Sequence, residues 1–101
     1  MLNEPEQIDE TVINKLRSMA RHGQSPSEMV RQLRVCLGMT AHIVTLLSYF
    51  RHAFCLTLAD AKPIAALSRN EQREFEDETL LDELLLPAIL NRRSEWETFT
   101  Q

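Results

Sequence analysis

The sequence predicts an all-α fold, a compact bundle of about five helices with no sheet. Leu, Ala, Glu and Arg, which favour helices, are plentiful, whereas runs rich in Val, Ile and Thr are absent. Apolar residues recur at helical spacing between recognisable start and stop signals. The 101 residues, of which 44% are hydrophobic and 26% charged, suffice for one core. We therefore expect residues 1–101 to form a single helical domain.

The first helix is predicted from Glu6 to Ala20. Pro5 suits a first helical turn, and Gly23 provides a left-handed stop after Arg21 and His22. The spacing of the apolar residues predicts one face packed on the core. That face comprises Ile8, Val12, Ile13, Leu16, Met19 and Ala20.

The second helix has the clearest start signal of the chain. Ser25 can cap it, Pro26 fits the first helical position, and Glu28 can reach back to complete a capping box. Gly38 is expected to end this helix. The side chains predicted to be buried are Met29, Val30, Leu33, Cys36 and Leu37, with Arg31 and Arg34 facing water.

The third helix is predicted to lie at the centre of the bundle. It runs from Ala41 to Phe54 behind a cap at Thr40. A helix this apolar needs neighbours on most sides. Its main stripe comprises Ile43, Leu46, Leu47, Phe50 and Phe54, and is widened by Val44 and Tyr49.

The fourth helix begins after Thr57, because Thr57 and Asp60 form a capping-box pattern. We expect it to bend at Pro63 after one to two turns, since proline removes a helical hydrogen bond. The polar stretch Ser68 to Asp77 predicts a loop or a frayed helix.

The last helix is predicted to start at Thr79 and to bend or split at Pro87. Trp96 and Phe99 are expected to fold back onto the core, because chain ends become ordered when something holds them. The apolar residues of this helix are Leu80, Leu81, Leu84, Leu85, Ile89 and Leu90.

The joint between the third and fourth helices carries a local pattern. An arginine, a small turn residue, Leu-x-Leu, an acid and Ala-Lys before an aliphatic residue follow in order: Arg51, Ala53, Leu56, Leu58, Asp60, Ala61, Lys62 and Ile64. This resembles the helix–turn–helix hairpin of the C-terminal domain of the bacterial ribosomal stalk protein L7/L12. Members of that family pack their helices on a sheet and contact translation factors through basic side chains. The resemblance therefore implies an adaptor role for Arg51 and Lys62.

Charge is distributed unevenly along the chain. Residues 1–70 carry six acids and eight bases, whereas residues 71–101 carry nine acids and three bases. Seven of those nine acids lie between Glu71 and Glu83, with Phe75 among them. A solvated face is one interpretation of this run, and a docking surface for a basic protein is the other. The predicted partner-binding residues are Glu71, Glu74, Phe75, Glu76, Asp77, Glu78, Asp82 and Glu83.

Catalytic and cofactor sites have weaker support. Ser48, His52 and Asp60 are of the types that nucleophilic catalysis uses, but an i, i+4 pair of Ser and His is common by chance. No recognised ligand spacing links the candidates for zinc, which are Cys36, His42, His52 and Cys55. We expect two packed free thiols, no enzyme activity, no metal and no other cofactor.

Nucleic acid and membranes are not the expected partners. The start of the fourth helix offers Leu58, Ala59 and Asp60, which phosphate would not favour. The more basic set, Arg17, Arg21, Arg31 and Arg34, belongs to a chain with a net charge of −4. No apolar run is long enough to span a membrane, and the acidic N-terminus lacks the features of a signal peptide. These features favour the cytoplasm.

Several segments together resemble small helical immunity proteins of bacterial contact-dependent growth inhibition and polymorphic toxin systems. They are residues 48–54, 61–64, 84–89 and 93–96, with the acidic run between the second and third of them. The resemblance implies a non-catalytic protein that neutralises a cognate toxin, most often a nuclease. The alternatives are the adaptor of translation or transcription and an anti-σ or phage-encoded inhibitor. The sequence does not fix the oligomeric state.

Overall fold

The computed structural model describes residues 8–38, 42–66 and 78–97, and these form six α-helices and no strand. This confirms the predicted all-α class, with one short helix more than expected. The helices are α1 (Glu10–Arg21), α2 (Pro26–Leu37), α3 (Ile43–Phe54), α4 (Leu58–Ala66), α5 (Glu78–Asn91) and α6 (Arg93–Trp96).

Helix α3 has a wide buried face, as its composition predicts, and packs against α1, α4 and α6. Helix α5 packs against α2, α4 and α6, so the predicted central position is not unique to α3. One continuous core joins the helices, and its largest fully buried side chains include Trp96, Tyr49, Phe50 and Phe54. The Phe54 and Trp96 rings meet edge to face with centroids 5.1 Å apart. Phe99 lies outside the described residues.

The start of α2 uses local and distant partners together. Ser25 Oγ accepts the Glu28 N–H, and Glu28 Oε1 accepts the Ser25 N–H, which confirms the predicted capping box. Pro26 has no N–H to satisfy. The remaining free donor of the first turn, the Ser27 N–H, bonds to Asp82 Oδ1 on α5 at 2.8 Å. Every backbone donor of this turn therefore has an acceptor.

Both glycines act as predicted at helix ends. Gly23 has φ of 82° after α1, and Gly38 has φ of 60° after α2. A side chain would be strained in this region of backbone conformation. Among the described residues other than glycine, Cys55 has a positive φ, 57°, and it ends α3 in the left-handed conformation.

Several sequence-based boundaries are wrong in detail. Helix α1 begins at Glu10, four residues later than predicted, because Asp9 caps it by accepting the Thr11 N–H. Helix α3 begins at Ile43, and the proposed cap Thr40 lies outside the described residues. Helices α4 and α5 continue through Pro63 and Pro87 respectively, so Pro87 does not split its helix, and the bend expected at each proline stays a prediction.

Two burial predictions are also wrong. Cys36 is exposed rather than packed, and Val44 at the start of α3 is 68% exposed rather than part of the core stripe. Val44 lies on the side of α3 opposite its buried residues, together with the exposed Arg51, and Cys36 lies next to the last residue of α2. Leu37 is only partly buried against the core.

Arg17 on α1 is buried and closes the end of α3. Its Nε donates to the Ala53 carbonyl at 2.7 Å, and its Nη2 donates to the His52 carbonyl at 3.2 Å. Only 8% of the residue is exposed. The guanidinium thus satisfies carbonyls of the last α3 turn and places a positive charge at the negative end of the helix. Arg17 is therefore not available for a basic phosphate-binding face.

We predict that Arg17→Met destabilises the protein by about 2 kcal/mol, because buried carbonyls would lose their donors. The control is Lys15→Met, which removes an exposed cation from the same helix and should change stability by less than about 0.5 kcal/mol. Urea unfolding followed by circular dichroism measures both. Equal midpoints for the two variants would contradict a structural role for Arg17.

Candidate protein-binding site

The predicted acidic binding surface is only partly described by the structure. Glu71, Glu74, Phe75, Glu76 and Asp77 lie outside the described residues. Glu78, Asp82 and Glu83 occupy the first two turns of α5. These three carboxylates have different surroundings, and they are therefore suited to different roles.

Asp82 is a structural carboxylate. Its Oδ1 accepts the Ser27 N–H at 2.8 Å, and its Oδ2 accepts the Ser27 hydroxyl at 3.1 Å. Ser27 itself is buried. Asp82 thereby joins α5 to the positive end of α2, where a negative charge is favourable. A partner could bind this carboxylate only by displacing its hydrogen bonds from Ser27.

Glu78 forms a surface ion pair with Arg31 of α2. Arg31 Nη1 lies 3.0 Å from Glu78 Oε1 and 3.1 Å from Oε2. About half of each side chain is exposed. Exposed pairs of this kind contribute little to stability, so Glu78 can exchange its partner at small cost.

Glu83 is exposed and lies among exposed apolar side chains. Leu80 is 37% exposed, Leu84 49% and Leu90 45%, and Pro87 is exposed as well. Spacings of three and four residues place these positions along one side of α5. We call the set Leu80, Glu83, Leu84, Pro87 and Leu90 the α5 outer face.

The opposite side of α5 is already seated in the core. Leu81, Leu85 and Ile89 are fully buried. Helix α5 is therefore apolar on both sides, which is unusual for a helix at the surface of a small domain. The leucine-rich sequence of this helix does not by itself separate its two sides. The leucines that stand in adjacent pairs could have indicated two apolar sides, because neighbouring positions on a helix do not share a face.

The predicted hairpin between α3 and α4 is present. The Thr57 hydroxyl accepts the Asp60 N–H at 3.0 Å, and Asp60 Oδ2 accepts the Thr57 N–H at 3.3 Å, which confirms the capping box. Asp60 Oδ2 also lies 3.0 Å from Arg92 Nε. This ion pair joins the start of α4 to the α5–α6 junction, a contact that the sequence did not predict.

The two basic residues of the hairpin, Arg51 and Lys62, are exposed. A shallow depression of about 250 Å³ lies beside the end of α3 and is lined by Ser48, Arg51, His52 and Leu56. Asp60 is not among its lining residues and is engaged by Thr57 and Arg92 instead. The structure therefore does not assemble Ser48, His52 and Asp60 into one catalytic arrangement.

The two cysteines belong to different helices, Cys36 to α2 and Cys55 to the end of α3. Cys36 is exposed, while Cys55 is half-buried, and both are free thiols. Burial raises the pKa of the Cys55 thiol, an effect that the nearby Glu95 carboxylate reinforces. Within residues 8–38, 42–66 and 78–97, no three potential ligands are arranged to hold a metal ion.

Comparison of the chain with models of protein families, with curated proteins and with solved structures finds no match. Among the described helices, none combines the length and apolar character needed to cross a bilayer.

Asp60 should make stability depend on pH. The hydrogen bond from the Thr57 backbone lowers the pKa of Asp60, and Arg92 lowers it further. Its ionised form is thus favoured by folding, so its contribution is complete above the unfolded pKa and is lost as pH falls through the folded pKa. We predict that Asp60→Asn lowers the urea midpoint at about pH 7 and that its difference from wild type shrinks by about pH 3. A constant difference across this range would contradict the assignment.

Asp82 and Glu83 should separate structural and surface roles. Asp82→Ala leaves the Ser27 N–H without its acceptor and should cost about 1–2 kcal/mol of unfolding free energy. Glu83→Ala removes an exposed carboxylate from the same turn and should change it by less than about 0.5 kcal/mol. Thermal and urea unfolding measure both variants. Equal losses would show that Asp82 does not tie α5 to α2.

Proposed function

We propose that this chain is a non-catalytic protein-binding module that neutralises a basic partner, in the manner of an immunity protein acting on a nuclease toxin. The observation that carries the proposal is the character of α5. This helix contains three acids and no base, and its outer face places Glu83 among exposed leucines. It follows directly on a stretch of sequence rich in acids.

The proposal rests on the chemistry of the partner. A nuclease active site is basic because it holds phosphate. An acidic surface can cover such a site, and complementary charge accelerates the encounter of the two proteins. The affinity should therefore fall as salt screens the charges. Exposed leucines beside the acids supply apolar area, which a stable complex needs in its centre.

A second candidate is an adaptor that contacts translation or transcription proteins through the α3–α4 hairpin. The exposure of Arg51 and Lys62 at this hairpin favours it. The described residues contain no strand, however, so the sheet that supports the hairpin in the stalk protein has no counterpart among them. We therefore rank this candidate below the neutralising module.

Charge reversal distinguishes the two candidates. We predict that Glu83→Lys weakens partner binding about tenfold or more, because it places a cation against a basic surface. The control Glu10→Lys makes the same charge change at an exposed site on α1 and should retain binding. Partners are captured from host lysate at about 50 mM salt, eluted up to about 500 mM and identified by mass spectrometry. The purified partner is then titrated with each variant.

Three outcomes of this experiment distinguish the neutralising module from the adaptor. A nuclease domain that elutes with salt, is inhibited by wild type and escapes Glu83→Lys supports neutralisation. A translation or transcription factor that is lost with Arg51→Glu and kept with Glu83→Lys supports the adaptor. A partner that is insensitive to salt and to both reversals contradicts both candidates.

A further inference from the structure

We propose that the α5 outer face is a docking surface for an amphipathic basic helix of the partner protein. The inference rests on the proposed function, to which it adds the chemical form of the segment that is recognised. Leu80, Leu84 and Leu90 supply the apolar contacts, and Glu83 supplies the charge.

The α5 outer face lies opposite the side of the helix that packs in the core. The buried side of α5 carries Leu81, Leu85 and Ile89, each with no exposed surface. Asp82 further holds the helix to α2 through Ser27. The leucines of the outer face leave between 37% and 49% of their surface in water, and adjacent exposed apolar side chains are typical of an interaction site.

The α5 outer face forms a row of side chains along the helix axis. From Leu80 to Leu90 the ridge extends over ten residues, about 15 Å along the helix axis. The apolar side chains recur on adjacent turns, so they form a row into which side chains of a second helix can interdigitate. An amphipathic helix binds such a row through residues at i, i+3, i+4 and i+7.

The chemistry of the outer face disfavours a second copy of this chain as its occupant. Closed dimers bring the same surface of each subunit together. Two outer faces packed together would cover both Glu83 carboxylates, and the outer face contains no base that could pair with them. Unpaired charges within an interface are unfavourable. Charge complementarity instead favours a helix in which Lys or Arg residues flank the apolar side chains.

The test uses a defined probe. A fluorescently labelled helical peptide of about fourteen residues carries leucines at i, i+3, i+4 and i+7 and lysines elsewhere; a second peptide carries glutamates in place of the lysines. Fluorescence anisotropy measures binding to wild type and variants. We expect wild type to bind the lysine peptide and to bind the glutamate peptide at least about tenfold more weakly.

Variants locate the binding site. Leu84→Ser should weaken binding of the lysine peptide about tenfold, and Leu84→Met should retain it. The matched control is Val44→Ser, which makes another exposed aliphatic residue polar on α3 and should leave affinity within about twofold. Equal affinity of Leu84→Ser and Val44→Ser, or no binding by wild type at about 1 mM peptide, overturns the proposal.

Other occupants of the face give different results. A stable dimer in light scattering that is dissociated by Leu84→Ser would identify a second copy and overturn the proposal. Marked destabilisation of the isolated protein by Leu84→Ser would show that the chain covers this face itself, which also overturns it. Monomeric wild type and a folded, equally stable Leu84→Ser variant are the expected results.

The experiment separates this inference from the proposed function. A nuclease that is neutralised by wild type and by Leu84→Ser alike, but not by Glu83→Lys, would support the function and overturn the docking face. Binding of the lysine peptide at Leu84, together with capture of a partner that is not a nuclease, would support the docking face and overturn toxin neutralisation.

Discussion

The end of α3 depends on a side chain from another helix. Helix α3 packs against α1, α4 and α6, and the carbonyl of its buried residue Ala53 requires a donor from the protein. Arg17 of α1 donates to the carbonyls of His52 and Ala53, while the Leu56 N–H bonds to the Arg51 carbonyl. The left-handed Cys55 can then turn the chain into α4. Without these bonds, the last turn of α3, from which the chain continues into α4, would have unsatisfied carbonyls.

The same principle recurs at other helix ends. The Tyr49 hydroxyl accepts the Asp9 N–H at the start of α1, Asp82 accepts the Ser27 N–H in α2, and the Trp96 indole donates to the Ile89 carbonyl near the end of α5. Each bond joins a helix end to a residue on another element. In short helices the unsatisfied terminal groups are a large share of the backbone, so distant side chains that satisfy them also fix the arrangement of the helices.

The acids of α5 differ in role, because one holds the fold together and two lie at the surface. Asp82 is committed to the start of α2, and Glu78 is paired with Arg31 at the surface. Glu83 remains with the exposed leucines. A run of acids that looks uniform in the sequence therefore contains residues with separate physical roles. The proposed binding role of α5 rests on its exposed leucines together with its charge.

The sequence by itself determined the all-α class, both capping boxes, the glycine stops of α1 and α2, the wide buried face of α3 and the burial of Trp96. These features depend on residues a few positions apart or on a periodic apolar stripe, and such information is local. The sequence also placed the candidate site at the acidic run, part of which lies outside the described residues. Only the tertiary structure decided that Arg17 is buried, that Asp82 accepts the Ser27 N–H of α2 and that Leu84 faces outward. Each of these depends on which helix packs beside which, and spacing along the chain does not carry that information.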